Sequence, residues 1–390
     1  MIKLKKNKKI TNFVFLFLVG VILLGGFLKP IVKPIGINLQ ENREAVTLPT
    51  FNFNSFVNKN YQNQFEESLS DQVPLASKMK LVQKTIEILS KITYYSFLRK
   101  DAYYHLNDKV SLFNNYLTYY PREFDSIRKT HMAKIYNIDH AINLLPNIDF
   151  YLYYIESDVD INFETNKKLL AYENIKNCLG DKVKTKAFEI NSFEDYANYF
   201  YKTDHHWNYK GSYKGYTEIV ELMTSDDAIK YEKEILLNSV MSGSKANHVG
   251  GAHIFKEEFA AYQFNLKDHD IYINNKQVNS YGNYKNINEN NPQNISYGDY
   301  YGSDDGLILF DYHQKDSENI LVIGESYDNA IIELLASHFN KTYSVDLRAY
   351  EMDLGERFNI QNFVQEKEIT KVLLIGNVDY YTMSTFNLIY

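Results

Sequence analysis

From Ile10 to Leu28 the chain runs nineteen residues without a charge. That is about the length an α-helix needs to cross a bilayer. Lys3, Lys5, Lys6, Lys8 and Lys9 precede it, and a basic flank stays in the cytoplasm and sends the remainder outside. The alternative is a cleaved signal peptide. Against it, Gly25-Gly26-Phe27-Leu28-Lys29-Pro30 makes a poor small-x-small cleavage site, and no cysteine follows for lipid attachment. The pattern therefore predicts a cytoplasmic tail over 1–9 and a single-pass signal anchor over 10–28. The remainder would stand outside the cytoplasm at the cell membrane.

Residues 29–120 read as a stalk followed by a helical membrane-proximal segment. Leu75, Met79, Val82, Ile86 and Leu89 recur at steps of four and three, one apolar stripe behind a helix start at Asp71-Gln72-Val73-Pro74. After Pro121, Phe124, Ile127, Ile135, Ile138, Ile142 and Leu145 predict a second long helix. The period then changes. Runs over 148–155 and 183–190 read as strands, 162–178 as a helix ending at Gly180, and 212–223 as another helix. Residues from about 235 to 310 are rich in Gly, Asn, Tyr and Ser and read as a loop-rich insertion. The C-terminal quarter alternates cleanly: strand 319–323, helix 327–339, strand 343–347, helix 356–365, strand 371–375. Residues 121–390 are thus expected to form an α/β domain with a parallel sheet flanked by helices. Such sheets bind ligands beyond the carboxyl ends of their strands, and Ser326 lies just past one of these ends.

Composition narrows the classes little. The net charge of −7 gives no general electrostatic reason to bind nucleic acid. The single Cys178 excludes an intramolecular disulfide framework and any cysteine-rich metal site.

Two stretches carry chemistry. Gly324-Glu325-Ser326-Tyr327 sets a serine at a strand-to-helix turn, where free backbone N–H groups stabilise an oxyanion. The same placement suits a plain helix N-cap. A nucleophilic serine needs a base, and the base needs a carboxylate to orient it. Asp204-His205-His206-Trp207 offers both, since Asp204 and His206 share one side of an extended segment. The alternatives are a structural loop packed around Trp207, or zinc held by this group with His248 and His253. The five-residue spacing of the last two matches no compact ligand motif.

Asp204-His205-His206-Trp207, with Gly211 and Tyr216 after it, resembles the signature of the DHHW protein family. That family is similar to SGNH-hydrolase-like proteins that O-acetylate alginate and other exported polysaccharides. Glu41-Asn42-Arg43, Phe65-Glu66, Asp71-Gln72-Val73-Pro74, Val322-Ile323-Gly324-Glu325-Ser326-Tyr327 and Val345-Asp346-Leu347-Arg348-Ala349-Tyr350 extend the resemblance. Glu325 stands where the family more often has aspartate, and Leu75 where a proline-Arg step is common. The resemblance implies an SGNH-like fold, with Ser326 as nucleophile, His206 as base and Asp204 as its orienter. Asn377 is a looser match to an oxyanion donor. Tyr327, His205 and Trp207 are further candidates for shaping the loop or the substrate surface. Arg348 serves either a polar or anionic substrate or a salt bridge. The implied activity is O-acetylation of a cell-envelope or exported polysaccharide, with no cofactor and no metal. Its expected partners are a polysaccharide acceptor, an acetyl donor and a membrane-bound acyltransferase. An acetyl esterase with the same triad, or a non-catalytic polysaccharide-binding or envelope-assembly protein, fits the same residues.

Overall fold

The computed structural model describes residues 13–21, 37–38, 43–72, 76–98, 101–282 and 294–389. The expected cytoplasmic tail lies outside these residues. Of the expected anchor, 13–21 form a helix and the remainder is outside them. Among the described residues no helix is long and apolar enough to cross a membrane. The chain divides into two compact units at Tyr94.

In the first unit the helical pattern resolves into Phe53–Val57, Asn60–Gln72 and Ala76–Tyr95. Of the stripe singled out from the spacing, Leu75 lies outside the described residues and the other four face outward. Met79, Val82, Ile86 and Leu89 are between 47% and 70% exposed, whereas Ile88 on the opposite side is 2% exposed. Two apolar rows run along this helix, and periodicity cannot say which one packs.

The second unit is built on an eight-stranded sheet. Its strands are Asp149–Ile155 (β1), Lys184–Phe188 (β2), Asp270–Ile273 (β3), Lys276–Val278 (β4), Leu307–Asp311 (β5), Asn319–Ile323 (β6), Lys341–Val345 (β7) and Ile369–Gly376 (β8). Their order across the sheet is β4-β3-β5-β7-β6-β8-β1-β2. Strands β7, β6, β8, β1 and β2 run parallel. Strands β5, β3 and β4 continue the sheet by antiparallel pairing. The sheet is therefore mixed rather than parallel. Strands β3, β4 and β5 come from the stretch read as a loop-rich insertion. Between β3 and β4, Asn274 and Asn275 both take positive φ, 47° and 64°, which suits the two-residue turn that keeps a hairpin's twist.

Four helices matter most to the packing: Phe124–Leu144 (α1), Ala171–Leu179 (α2), Tyr209–Met223 (α3) and Ile360–Glu366 (α4). Successive strand residues point to opposite faces. Phe150, Leu152 and Tyr154 of β1 accordingly join the core with α1, α2 and α4. Tyr151, Tyr153 and Ile155 join the core with α3 on the other face. The result is an α/β fold with helices on both sides of the sheet.

Three predicted helices are shorter than expected. Before α2, Asn162 Oδ1 accepts from the Glu164 and Thr165 N–H groups, and Asn166 takes φ 56°, so this stretch turns as a hairpin. The helix expected over 327–339 is a 3₁₀ turn at Asp328–Ala330 and a helix at Ile332–Ala336, interrupted by Ile331 at φ −126°. That expected over 356–365 begins only at α4, Ile360–Glu366, behind a separate helix Tyr350–Leu354 that ends at left-handed Gly355, φ 74°.

The rest of the poorly patterned stretch forms a second, three-stranded sheet. Lys233–Met241 pairs with Glu257–Gln263 and Asn294–Ile295. The helix Ser244–His248 lies between its first two strands in sequence.

Candidate active site

Strand β6 is a buried apolar run that delivers Gly324-Glu325-Ser326 to the carboxyl edge of the sheet. A Cβ on Gly324 would stand 2.5 Å from Asp328 Oδ2, so the tight turn after β6 needs a residue without a side chain. Ser326 follows, 8% exposed.

The Asp204 loop arrives from the other side. Its backbone is closed by Tyr201 N–H on the His206 carbonyl, 3.2 Å, and Asn208 N–H on the Tyr199 carbonyl, 2.8 Å. Asn208 caps α3 through its side chain, accepting from Lys210 and Gly211 N–H. Trp207 is fully buried against Phe188 and Tyr327, at ring distances of 5.8 and 5.6 Å. It anchors the loop from inside and offers substrate no surface.

The loop brings three side chains together. His206 Nε2 lies 2.7 Å from Ser326 Oγ, and His206 Nδ1 lies 2.6 Å from Asp204 Oδ1. Asp204 and His206 meet differently from the expected extended geometry. Asp204 Oδ1 also accepts the His206 backbone N–H at 3.0 Å, an Asx-type turn that folds the carboxylate back on the chain. Burial would raise the Asp204 carboxyl, but the neighbouring His206 and the hydrogen bonds from its ring and backbone N–H outweigh it. They hold the group well below the usual carboxylate range, so Asp204 is an anion.

A second layer supports this carboxylate. Asp204 Oδ2 accepts the Ser244 backbone N–H at 2.6 Å, and Gly243 N–H donates to Thr203 Oγ1 at 3.1 Å. A Cβ on Gly243 would fall 2.3 Å from that of Asp204, so only glycine permits the approach. Thr203 is held in turn by Glu257, which accepts from its N–H and its hydroxyl. Beside Ser244, Lys245 is fully buried and pairs with Asp158 at 2.5 Å. Asp158 lies in the loop after β1 and also accepts the Tyr119 N–H.

His206, not His205, is the imidazole bonded to Ser326; His205 is engaged elsewhere. Its Nδ1 meets the Ser244 hydroxyl at 2.6 Å, and its ring lies 3.8 Å from that of His206. The ring is crowded, although 30% of the side chain still meets solvent. Burial, and then the neighbouring His206, lower its pKa to about 3, so it stays neutral. Tyr297 stacks flat on His206 at 3.8 Å and 5°. Tyr327 is buried and donates its hydroxyl to the His205 carbonyl at 2.6 Å, tying the serine turn to the histidine loop. It does not line an open substrate surface.

Asn377 follows β8, 5% exposed. Its Oδ1 caps the next turn by accepting from Asp379 and Tyr380 N–H, and its own N–H donates to Glu325 Oε1 at 3.3 Å. Arg348 makes salt bridges. It contacts Asp346 through Nε and Nη2, and Asp304 at 2.9 Å.

Asp204, His205 and His206 lie near enough to share a small cation, their ligand atoms within 4.8 Å of one another. Such an ion would have to displace the His206–Asp204 hydrogen bond. Among the described residues neither His248 nor His253, the other ligands of the zinc alternative, belongs to that group. Gly243, Ser244, Lys245, Glu257 and Tyr297 are absent from the sequence-based candidates. All lie in the stretch whose composition carries no period, and no motif spacing links them to Asp204.

No family model and no curated protein matches the chain. Solved structures do match. Bacillus cereus PatB1 is similar at 20% identity and TM-score 0.56, over 72% of this chain and 100% of that one. The structure of PatB1 with a sulfonyl adduct gives 19% identity and TM-score 0.55, over 72% and 97%. A DHHW family protein from Eubacterium siraeum is similar at 14% identity and TM-score 0.53, over 72% and 95%. The structural neighbours thus include a protein of the family that the motif resembles. At these identities the likeness is one of fold.

Proposed function

We propose that the chain is an extracytoplasmic, membrane-anchored serine acyltransferase that O-acetylates a cell-envelope or exported polysaccharide. One observation carries the reading: His206 bridges Ser326 Oγ at 2.7 Å and Asp204 at 2.6 Å, the order nucleophile, base, orienter.

In the first half-reaction His206 Nε2 takes the Ser326 proton as Oγ attacks an acetyl carbonyl. Asp204 supports the imidazolium through Nδ1–H. The donor oxygen leaves with the proton returned by His206, and acetyl remains on Ser326. In the second half His206 deprotonates a sugar hydroxyl, which attacks the acyl-serine, and Ser326 is restored with its proton. Backbone N–H groups at the turn and the Asn377 amide N–H groups are the proposed oxyanion donors. The acetyl supply is proposed to come from a membrane-bound acyltransferase partner. An esterase would use water in the second half with the same groups.

PatB1 is described with a sulfonyl adduct, so an aryl sulfonyl fluoride is a fitting probe. It should label Ser326 in the wild type, as read by peptide mass spectrometry, and Ser326→Ala should lose both the label and turnover of a generic acetyl ester. If neither labelling nor turnover appears with several acyl donors, the acyl-enzyme reading fails. Turnover with release to water alone, whatever glycan is present, replaces transferase by esterase.

A further inference from the structure

A row of polar and aromatic side chains leads away from His206. His205 lies against it, ring to ring, and Tyr119 follows at 6.4 Å from His205. The Tyr119 hydroxyl meets His248 Nδ1 at 2.9 Å. Asn107 Nδ2 donates to the His248 carbonyl at 2.9 Å, and the Tyr120 hydroxyl donates to the Asn107 carbonyl at 3.1 Å. Tyr120 then contacts His105, whose ring is 4.6 Å away. Each of these six residues is partly or fully exposed. The row draws on His205 of the Asp204 loop, His248 at the end of the helix Ser244–His248, and residues in and around the antiparallel strands Tyr104–His105, Val110–Phe113 and Tyr116–Tyr119.

Its chemistry is specific. The Nε2 atoms of His205 and His248 have no partner among the described residues, because Nδ1 is the engaged nitrogen in both rings. Both imidazoles are neutral near pH 7. Burial and His206 lower His205, and burial and then Lys109 lower His248. The six side chains of the row therefore present uncharged donors, acceptors and ring faces, the set that matches sugar hydroxyls and C–H faces, with the exposed Lys109 as a cation near His248. Arg122, Arg128, Arg348 and Arg357 each face a carboxylate: Asp379, Asp125, Asp346 and Glu351 respectively. A glycan bearing carboxylates or phosphates is ordinarily met by guanidinium groups.

We propose that this row is the acceptor path, and that the acceptor is an uncharged, hydroxyl-rich glycan lying along Tyr119, His248 and Asn107 with its reacting hydroxyl beside His205. The proposal rests on the acyl-transfer reading but is tested apart from it, by binding to the full-length Ser326→Ala protein, where no chemistry occurs.

Isothermal titration with an N-acetylglucosamine hexamer should show binding, and a uronic acid hexamer should bind at least tenfold more weakly. In the same background His248→Ala and Asn107→Ala should each weaken the uncharged hexamer by about tenfold. Both residues are surface-facing, and a thermal melt checks that the variants are folded. Equal or tighter binding of the uronic acid hexamer overturns the proposal. So does binding of neither sugar, or an unchanged affinity in both folded variants. Serine labelling in the wild type reports separately on the acyl-enzyme, so the two can fail independently.

Discussion

Glu325 shows how a single side chain sets a pH dependence beside the nucleophile. It is 9% exposed, accepts one N–H from Asn377, and has Arg348 4.0 Å away. Burial pushes its carboxyl up to about 8, with Arg348 pulling the other way. In the unfolded chain it titrates near the ordinary 4.5. The folded state therefore holds the proton to higher pH. That contribution to stability is complete below about 4.5 and is lost as the pH rises through about 8. Glu325→Gln keeps an acceptor for the Asn377 N–H and cannot ionise. Its melting temperature should match the wild type near pH 5 and exceed it near pH 9. A wild type that melts no lower than the variant at pH 9 would show that Glu325 ionises without cost. Asp204 has the opposite sign, being held far below its ordinary value by His206, and it stays charged across this whole range.

Among the elements, the turn 243–246 decides more than its length suggests. It lays Ser244 N–H on Asp204, the Ser244 hydroxyl on His205 and Ala246 N–H on the Thr203 carbonyl. The pair Lys245–Asp158, 0% and 2% exposed, fastens this turn to the loop after β1. Removing one partner of a buried ion pair leaves an uncompensated charge, typically costing about 3–5 kcal/mol, whereas an apolar replacement of both is often neutral. Urea unfolding should therefore find Lys245→Met destabilised by about that amount, and Lys245→Met/Asp158→Leu largely restored. A single variant as stable as the wild type would mean that the pair contributes no specific anchoring. The parallel strands β1, β2, β6, β7 and β8 and α1 are legible in the sequence because their apolar runs are intact. This turn is not, because Gly, Ser and Lys in a loop announce nothing until Asp204 is seen beneath them.

For the whole molecule, the division at Tyr94 makes the sheet-containing unit the one that holds Asp204, His206 and Ser326. A fragment of residues 95–390 should melt cooperatively, and its Ser326 should react with a sulfonyl fluoride at a rate close to that of the full chain. An unfolded fragment, or one whose serine is inert, would make the first unit part of the catalytic structure.

Local periodicity marked α1, α3 and the parallel strands β1, β2, β6, β7 and β8, since there the pattern is imposed residue by residue. It also placed Ser326 beyond a strand end, while the need for a base with a carboxylate, and the family resemblance, marked Asp204-His205-His206 as its counterpart. Contacts between residues far apart in the chain leave no such trace. The antiparallel edge of the sheet, the outward face of the stripe on Ala76–Tyr95, and the ties of Arg348 and Tyr327 are of that kind. So is the clamp of Gly243 and Ser244 on Asp204. Each depends on which surfaces meet after folding, and a spacing of 40 or 120 residues carries no period from which that meeting can be read.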